Sequence, residues 1–368
     1  MGWGTDVLVI GGGPAGLASA IAARKKGLQV RVVDGAKPPI DKACGEGLMP
    51  STATALRALG IEIQPCDGRI FRGLRFLDGR TKAEAHFHGT AGIGVRRTVL
   101  HQKMVEKAEE CGVSFLWNTS VSGLIPSGAI VDGKAMSARW VIGADGIHSR
   151  VRLWSGLESV SQQEARFAQR RHYCVKPWTD CVEVYWGERT QAYVTPLASE
   201  ETCVVLVSQD RRVQFEEAMG EFPELAARLA DAELGSTERG GFTTTRRLSR
   251  VCRGNIALTG DASGSVDAIT GEGLCLSFRQ AVALADALEA GDLRGYQSAH
   301  ARLARRPNLM SRMLLMLGRN VQLRQRTLKI LAKDPGLFAR LLAVHGGEIS
   351  TLQFTATSLR FGYQFLAA

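Results

Sequence analysis

The run Asp6-Val7-Leu8-Val9-Ile10-Gly11-Gly12-Gly13-Pro14-Ala15-Gly16 sets a G-x-G-x-x-G pattern between an apolar stretch and an Ala-rich one. Asp6 to Ile10 reads as a buried parallel strand and Leu17 to Lys26 as a helix. Gly11 permits the tight turn, Gly13 lets the backbone approach a pyrophosphate, and Gly16 allows close packing of helix on strand. Pro14 and Ala15 lie between them, at a helix N-terminus whose free N–H groups and positive potential favour an anion. Gln29 to Val33 reads as the next strand and ends at Asp34, 18 residues beyond Gly16, where ribose hydroxyls need an acceptor. Strand, turn, helix, strand and acid together carry a weight that the glycines alone do not.

The 368 residues, 45% of them hydrophobic, are enough for a sizeable core and two lobes. No run approaches the length of a membrane span, and a strand beginning near Asp6 leaves no room for a signal peptide ahead of it, so a cytoplasmic protein is expected. The eight cysteines (Cys44, Cys66, Cys111, Cys174, Cys181, Cys203, Cys252, Cys275) form no C-x-x-C pair, which leaves structural zinc and thioredoxin-like chemistry without support. The net charge of +10 is local. From Arg294 onward there are 12 Lys/Arg against Asp334 and Glu348, leaving 34 of each sign in the first 293 residues. No nucleic-acid-binding motif accompanies the excess.

Beyond the first βαβ unit, Lys37 to Pro50 is an irregular stretch holding Asp41-Lys42-Ala43-Cys44-Gly45-Glu46-Gly47. Ser51 to Leu59 reads as a helix capped by Ser51, and Arg69 to Leu77 with Arg80 to His88 as a hairpin about Asp78-Gly79. Thr98 caps a helix to Cys111. Val113 to Trp140 reads as strands turning at Asp132-Gly133, leading into Gly143-Ala144-Asp145-Gly146. Longer β-runs follow at Arg171–Lys176, Cys181–Trp186, Gln191–Pro196 and Thr202–Ser208, then a helix at Val213–Ala232 and strands at Phe242–Leu248 and Asn255–Leu258. Gly260-Asp261-Ala262, a loop to Gly273 and a helix from Leu274 to Ala290 return to nucleotide-fold character. Residues 294–368 read as helices broken at Arg306-Pro307, Asp334-Pro335 and His345-Gly346-Gly347.

Three spaced motifs agree in order: Gly11 to Gly16, then Gly143-Ala144-Asp145-Gly146-Ile147-His148-Ser149 with Arg152, then Gly260-Asp261-Ala262 followed by Thr270-Gly271-Glu272-Gly273. Over residues 5 to about 290 the chain resembles the FAD-dependent family of para-hydroxybenzoate hydroxylase, which includes geranylgeranyl reductases and flavin-dependent halogenases. The resemblance implies an α/β fold: a discontinuous glutathione-reductase-type Rossmann FAD domain (1–152 and 250–292), an inserted antiparallel β-sheet substrate lobe (153–249), and a basic helical C-terminal region (293–368). It implies that Asp34 binds the adenosine ribose, that Arg97 holds the pyrophosphate and ribityl region, and that Asp261 accepts from ribityl hydroxyls. Gly271, Glu272 and Gly273 would bring backbone N–H groups to the isoalloxazine. Asp145 and Gly146 would shape the loop near the pyrophosphate, with Gly260 beside Asp261. An ordinary surface arginine for Arg97 and a turn aspartate for Asp145 are the plainer readings.

The implied cofactors are FAD and, bound transiently since there is no second G-x-G-x-x-G unit, NAD(P)H as reductant. The expected partners are O2 and a small hydrophobic or aromatic substrate, with hydroxylation of an aromatic, phenolic or polyketide-like compound as the first reading. No catalytic acid or base is assigned. Pocket candidates are Cys44, Tyr193 and Thr195, among Tyr173, Trp178, Tyr185, Trp186 and Pro196 of the second lobe. Asp41 to Leu48 is similar to the Cys-Gly loop of geranylgeranyl reductases, which places Cys44 and Gly45 by the flavin, so reduction of isolated C=C bonds in an isoprenoid is an alternative. Thr195 stands where those reductases carry Phe. No Trp-x-Trp-x-Ile-Pro motif supports a halogenase, and a non-catalytic flavin-binding protein is the reading from a different class. The basic tail reads first as a helical cap over the flavin domain, and alternatively as a peripheral contact with the inner membrane face.

Overall fold

In the computed structural model, residues 4–157, 159–162, 165–347, 357, 360–362 and 365 are described. Thr5–Ile10 is the centre of an eight-stranded sheet, flanked in parallel by Val30–Val33 and by the second half of the long strand Lys134–Gly143. Ser114–Leu116 continues it on one side; Ile256–Leu258 and Cys252–Arg253 close the other. The pairing of Ile256–Leu258 with Val141–Gly143 brings the Gly260 segment back beside the fingerprint, as a discontinuous nucleotide fold requires. Helices Pro14–Lys25 and Gly273–Glu289 pack on each other over this sheet. The approach of the first helix to the strand end depends on glycine: a Cβ on Gly16 would lie 1.8 Å from the Gly11 carbonyl oxygen, and Gly11 itself has φ +112° against the Ala144 backbone.

A second, seven-stranded sheet runs in the order 239–243, 166–173, 201–208, 190–198, 181–186, 73–78, 81–86. All its pairs are antiparallel except Cys181–Trp186 with Gly73–Asp78. Its last two strands are the Asp78-Gly79 hairpin, so the sheet draws on residues ahead of the 153–249 stretch as well as on it. The remainder of the expected hairpin, Arg69–Phe71, joins Gly47–Leu48 and Gly92–Gly94 in a small sheet between the lobes.

Several elements depart from expectation for identifiable reasons. The helix expected at 213–232 is two, Phe215–Met219 and Pro223–Leu229, because proline disfavours helical backbone at the preceding Phe222 (φ −128°, ψ 65°). Pro50, rather than Ser51, opens the helix to Ala58. The helix expected from Thr98 begins at Arg97, whose amide donates to Glu46 Oε1 at 2.9 Å, so a distant carboxylate does the capping. Arg306-Pro307 does not break the tail: Leu293–Arg319 runs through a buried Pro307, and Asn308 Nδ2 donates to the Ala304 carbonyl.

The C-terminal helices do form a cap, but chiefly over the second sheet. Val321–Lys333 and Pro335–Gly346 pack on Thr81–His86, while Leu293–Arg319 packs on Gly273–Glu289 and the turn 268–270. Leu328, Leu331, Leu337 and Phe338 share a core with Phe76 and Trp186. A buried ion pair, Arg324 to Asp78 at 2.8 Å, fastens the cap to the hairpin.

Tyr296 and His300 bind the cap to the nucleotide fold. The Tyr296 hydroxyl donates to the Leu258 carbonyl, and His300 Nε2 lies 2.9 Å from Ser263 Oγ. Burial draws His300 from 6.5 down to about 4. An unfolded chain therefore takes up this proton first, so the stability the neutral ring contributes is whole above pH 6.5 and is lost as pH falls through 4. Melting temperatures measured across that window should fall less steeply for His300→Gln than for the wild type; parallel curves would contradict the assignment.

Candidate active site

Between the two sheets lies a cavity of about 530 Å³ that begins at the fingerprint and ends under the C-terminal helices. Gly13, Pro14, Ala15, Cys44, Gly45, Arg97, Gly146, Asp261, Gly271 and Gly273 all border it, as do Tyr193 and Thr195. Segments far apart in sequence thus form one continuous wall. Gly11, Gly16 and Gly260 lie behind that wall, in the packing of helix on strand.

The polar end is built for an extended anionic ligand. Helix Pro14–Lys25 points its N-terminus at the cavity with no side-chain cap. Of the two neighbouring arginines, Arg96 pairs with Glu201, while Arg97 borders the cavity with a buried Nε that has no partner. Lys42 adds a second cation. Asp261 faces the cavity with its side chain open to that space, and no group among the described residues donates to its carboxylate. Burial raises its pKa against the pull of Lys42, Arg97 and Arg152. Gly13, Gly45 and Gly273 leave open space where a Cβ would stand.

Asp34 and Asp145 act on the frame. Asp34 accepts from the Gly12 and Ala36 amides at 2.6 and 2.7 Å, holding the fingerprint turn at the strand end. Asp145 accepts from Ser149 Oγ and from the Arg150 and Val151 amides, which starts the helix Arg150–Trp154. Arg152 donates to the carbonyls of Ala262 and Ile147 and so joins the second motif to the third. Glu272 is buried with its side chain off the cavity wall. Its carboxyl is raised by that burial, against the fields of His345, Arg279 and Arg306.

The Cys44 loop is held by a buried polar network that inspection of the sequence missed. Glu46, at φ +58°, accepts from the Arg97 amide through Oε1 and from His172 Nε2 at 2.6 Å through Oε2. Arg170 reaches Glu46 at 3.3 Å and grips Asp41 with two contacts of 2.9 and 3.0 Å. Thr195 Oγ1 donates to the Gly45 carbonyl at 2.7 Å. The signal available was a lone glutamate between Gly45 and Gly47. Burial pushes the Cys44 thiol up, with the Arg97 guanidinium pulling the other way, and pushes Tyr193 up to about 12. Both groups are protonated near neutral pH.

The other end of the cavity is apolar: Phe71, Phe76, Val182 and Val184 from the sheets, Met310 and Leu314 from the cap. The cap's contribution was also missed, although its amphipathic pattern was visible. Tyr173, Trp178 and Tyr185 instead pack under the helices 215–229, on the far face of the sheet. Trp186 stands edge-on to Phe76 beneath the cap.

An uncapped helix end, an unpartnered arginine, an unsatisfied aspartate and an apolar chamber in line define a flavin-dependent oxidoreductase. The chain belongs to the FAD-binding domain family, whose model matches residues 4–302. It is 28% identical to menaquinone reductase of Mycobacterium tuberculosis (strain ATCC 25618 / H37Rv), over 78% of this chain and 77% of that one. It is 26% identical to 6-methylpretetramide 4-monooxygenase of Streptomyces rimosus, over 94% and 93% of the two chains. The fold matches the crystal structure of a flavoprotein/dehydrogenase from Cytophaga hutchinsonii with TM-score 0.80 at 20% identity, covering 93% and 92% of the chains. FAD supplies two-electron transfer at its ring. Arg97, Lys42 and the helix end would hold the pyrophosphate, and Asp261 the ribityl hydroxyls.

Asp261→Ala removes a carboxylate whose ionisation burial disfavours. The purified variant should carry less FAD by absorbance, while its apoprotein melts no lower than that of the wild type; unchanged flavin content would contradict the role. Arg170→Met leaves Glu46 short of a partner and should cost about 3–5 kcal/mol in denaturant unfolding, an effect absent if the network contributes little.

Proposed function

We propose that this FAD-dependent oxidoreductase is an NAD(P)H-dependent monooxygenase that hydroxylates an aromatic ring set in a mostly apolar molecule. One observation carries the reading: most of the hydroxyls on the cavity wall are already committed elsewhere, with Thr243, which accepts from the Ala268 amide, and Thr327 as the exceptions. Tyr193 donates to Gln191 Oε1, Thr195 to Gly45 O, Ser265 to Thr244 O, Thr270 to Asp267 O and Ser277 to Gly273 O. His345 donates from Nε2 to the Thr270 carbonyl and keeps a buried Nδ1 without a hydrogen-bond partner among the described residues, while Glu46 is engaged by its own network. The wall therefore positions an apolar body and excludes water, leaving electron transfer to the cofactor. Such a division suits the balance R–H + O2 + NAD(P)H + H⁺ → R–OH + H2O + NAD(P)⁺.

The similarity to 6-methylpretetramide 4-monooxygenase supports this reading, because it extends over nearly the whole of both chains. The second reading, reduction of a C=C bond in a long apolar chain, is favoured by one group. Cys44 borders the cavity, is kept protonated by burial, and its Sγ only accepts, from the Glu46 amide. Its proton is therefore available to one carbon of a C=C bond whose other carbon receives hydride, the thiolate then regaining a proton from solvent. The similarity to menaquinone reductase points the same way.

Oxygen separates the two. With alkylphenols in detergent, NAD(P)H oxidation should require air and place one atom of labelled O2 in the product. Cys44→Ser should leave that rate within about threefold, since a group outside the reacting bonds contributes little. Consumption of NAD(P)H under nitrogen with a polyprenyl substrate, abolished by Cys44→Ser, would establish the reductase instead.

A further inference from the structure

Helix Leu293–Arg319 has two apolar faces. Met310, Leu314 and Leu317, spaced by four and three residues, line the cavity. Leu309, Met313 and Met316 repeat the same spacing one position earlier and are 46%, 43% and 51% exposed. Met313 and Met316 border the cavity as well, so they stand at its mouth. Val321, at the start of the next helix, is 45% exposed beside them in sequence.

The charge on this outward face has one sign. Arg302, Arg305, Arg312 and Arg319 are exposed on it, and none has a carboxylate partner among the described residues. Leu293 to Lys333 contains no Asp or Glu at all. Exposed methionine and leucine interleaved with unpaired arginines is the composition of a helix that lies in the plane of a membrane interface. A nucleic acid would satisfy the arginines and leave the apolar row in water, whereas an anionic lipid interface meets both. Among the described residues no helix is long and apolar enough to cross a membrane, so the contact is with a surface.

We propose that the outward face of Leu293–Arg319 docks on an anionic lipid bilayer and seats the cavity mouth at the acyl boundary. The arginines meet the headgroup phosphates, while Leu309, Met313 and Met316 enter between the chains. An apolar molecule dissolved in the bilayer then reaches Met313 and Met316 without crossing water. The docking holds for either reaction above and stands or falls separately from both.

The test is sedimentation of the purified FAD-loaded protein with phosphatidylglycerol/phosphatidylcholine vesicles and with pure phosphatidylcholine vesicles, at low and high salt. The wild type should pellet with the anionic vesicles at low salt. Arg305→Glu/Arg312→Glu should reduce that fraction roughly tenfold or more, since each basic side chain near such a surface adds attraction. Met313→Asp/Met316→Asp should remove the part that resists high salt. FAD absorbance and melting temperature check that each variant is folded. Absence of binding at low salt, or equal binding by wild type and Arg305→Glu/Arg312→Glu, overturns the proposal. So does a dimer in solution that Met313→Asp/Met316→Asp converts to monomer, because a second copy would then be the occupant.

Discussion

The buried Glu46 carboxylate ties together parts of the molecule that lie far apart in the sequence. It caps the helix that carries Arg97, engages His172 on the second sheet, and sits two residues from Cys44 on the loop that floors the cavity. A charge enclosed this way must be paired on every side. Its partners come from the nucleotide fold and from the second sheet, so satisfying it joins the two. Arg170 and Asp41 extend the constraint along the loop, and Thr195 pins the same loop at Gly45.

The nucleotide half was legible in the sequence because its constraints are local. The fingerprint turn is set by Gly11 and Gly16 through contacts with their own strand and helix, and Asp34 is bonded to Gly12 within the same βαβ unit. Asp145 reads as a turn residue and acts as one. Arg97 and Asp261 stand where their motifs place them, at a helix start and just beyond a strand, and both border the cavity.

Elements set by distant partners were harder to read. Thr98 has the better capping side chain, but Glu46 lies 51 residues from Arg97 and starts the helix there. Pro307 reads as a break, yet the packing on both sides carries the helix through. The aromatic strands could not declare their two faces: Tyr193 and Thr195 point to the cavity, while Tyr185 points under a helix pair whose own boundaries depend on Pro223. The cap's inward row of Met310, Leu314 and Leu317 has helical spacing, but only the fold says what it covers.

The chamber's roof comes from the last helices of the chain, whereas the FAD-binding motifs end with Gly273. In chain order the motif-bearing segments therefore precede the roof. The polar end of the cavity and its apolar roof are thus carried by different stretches of one chain, so substitutions along Leu293–Arg319 can reshape the chamber without touching the fingerprint turn.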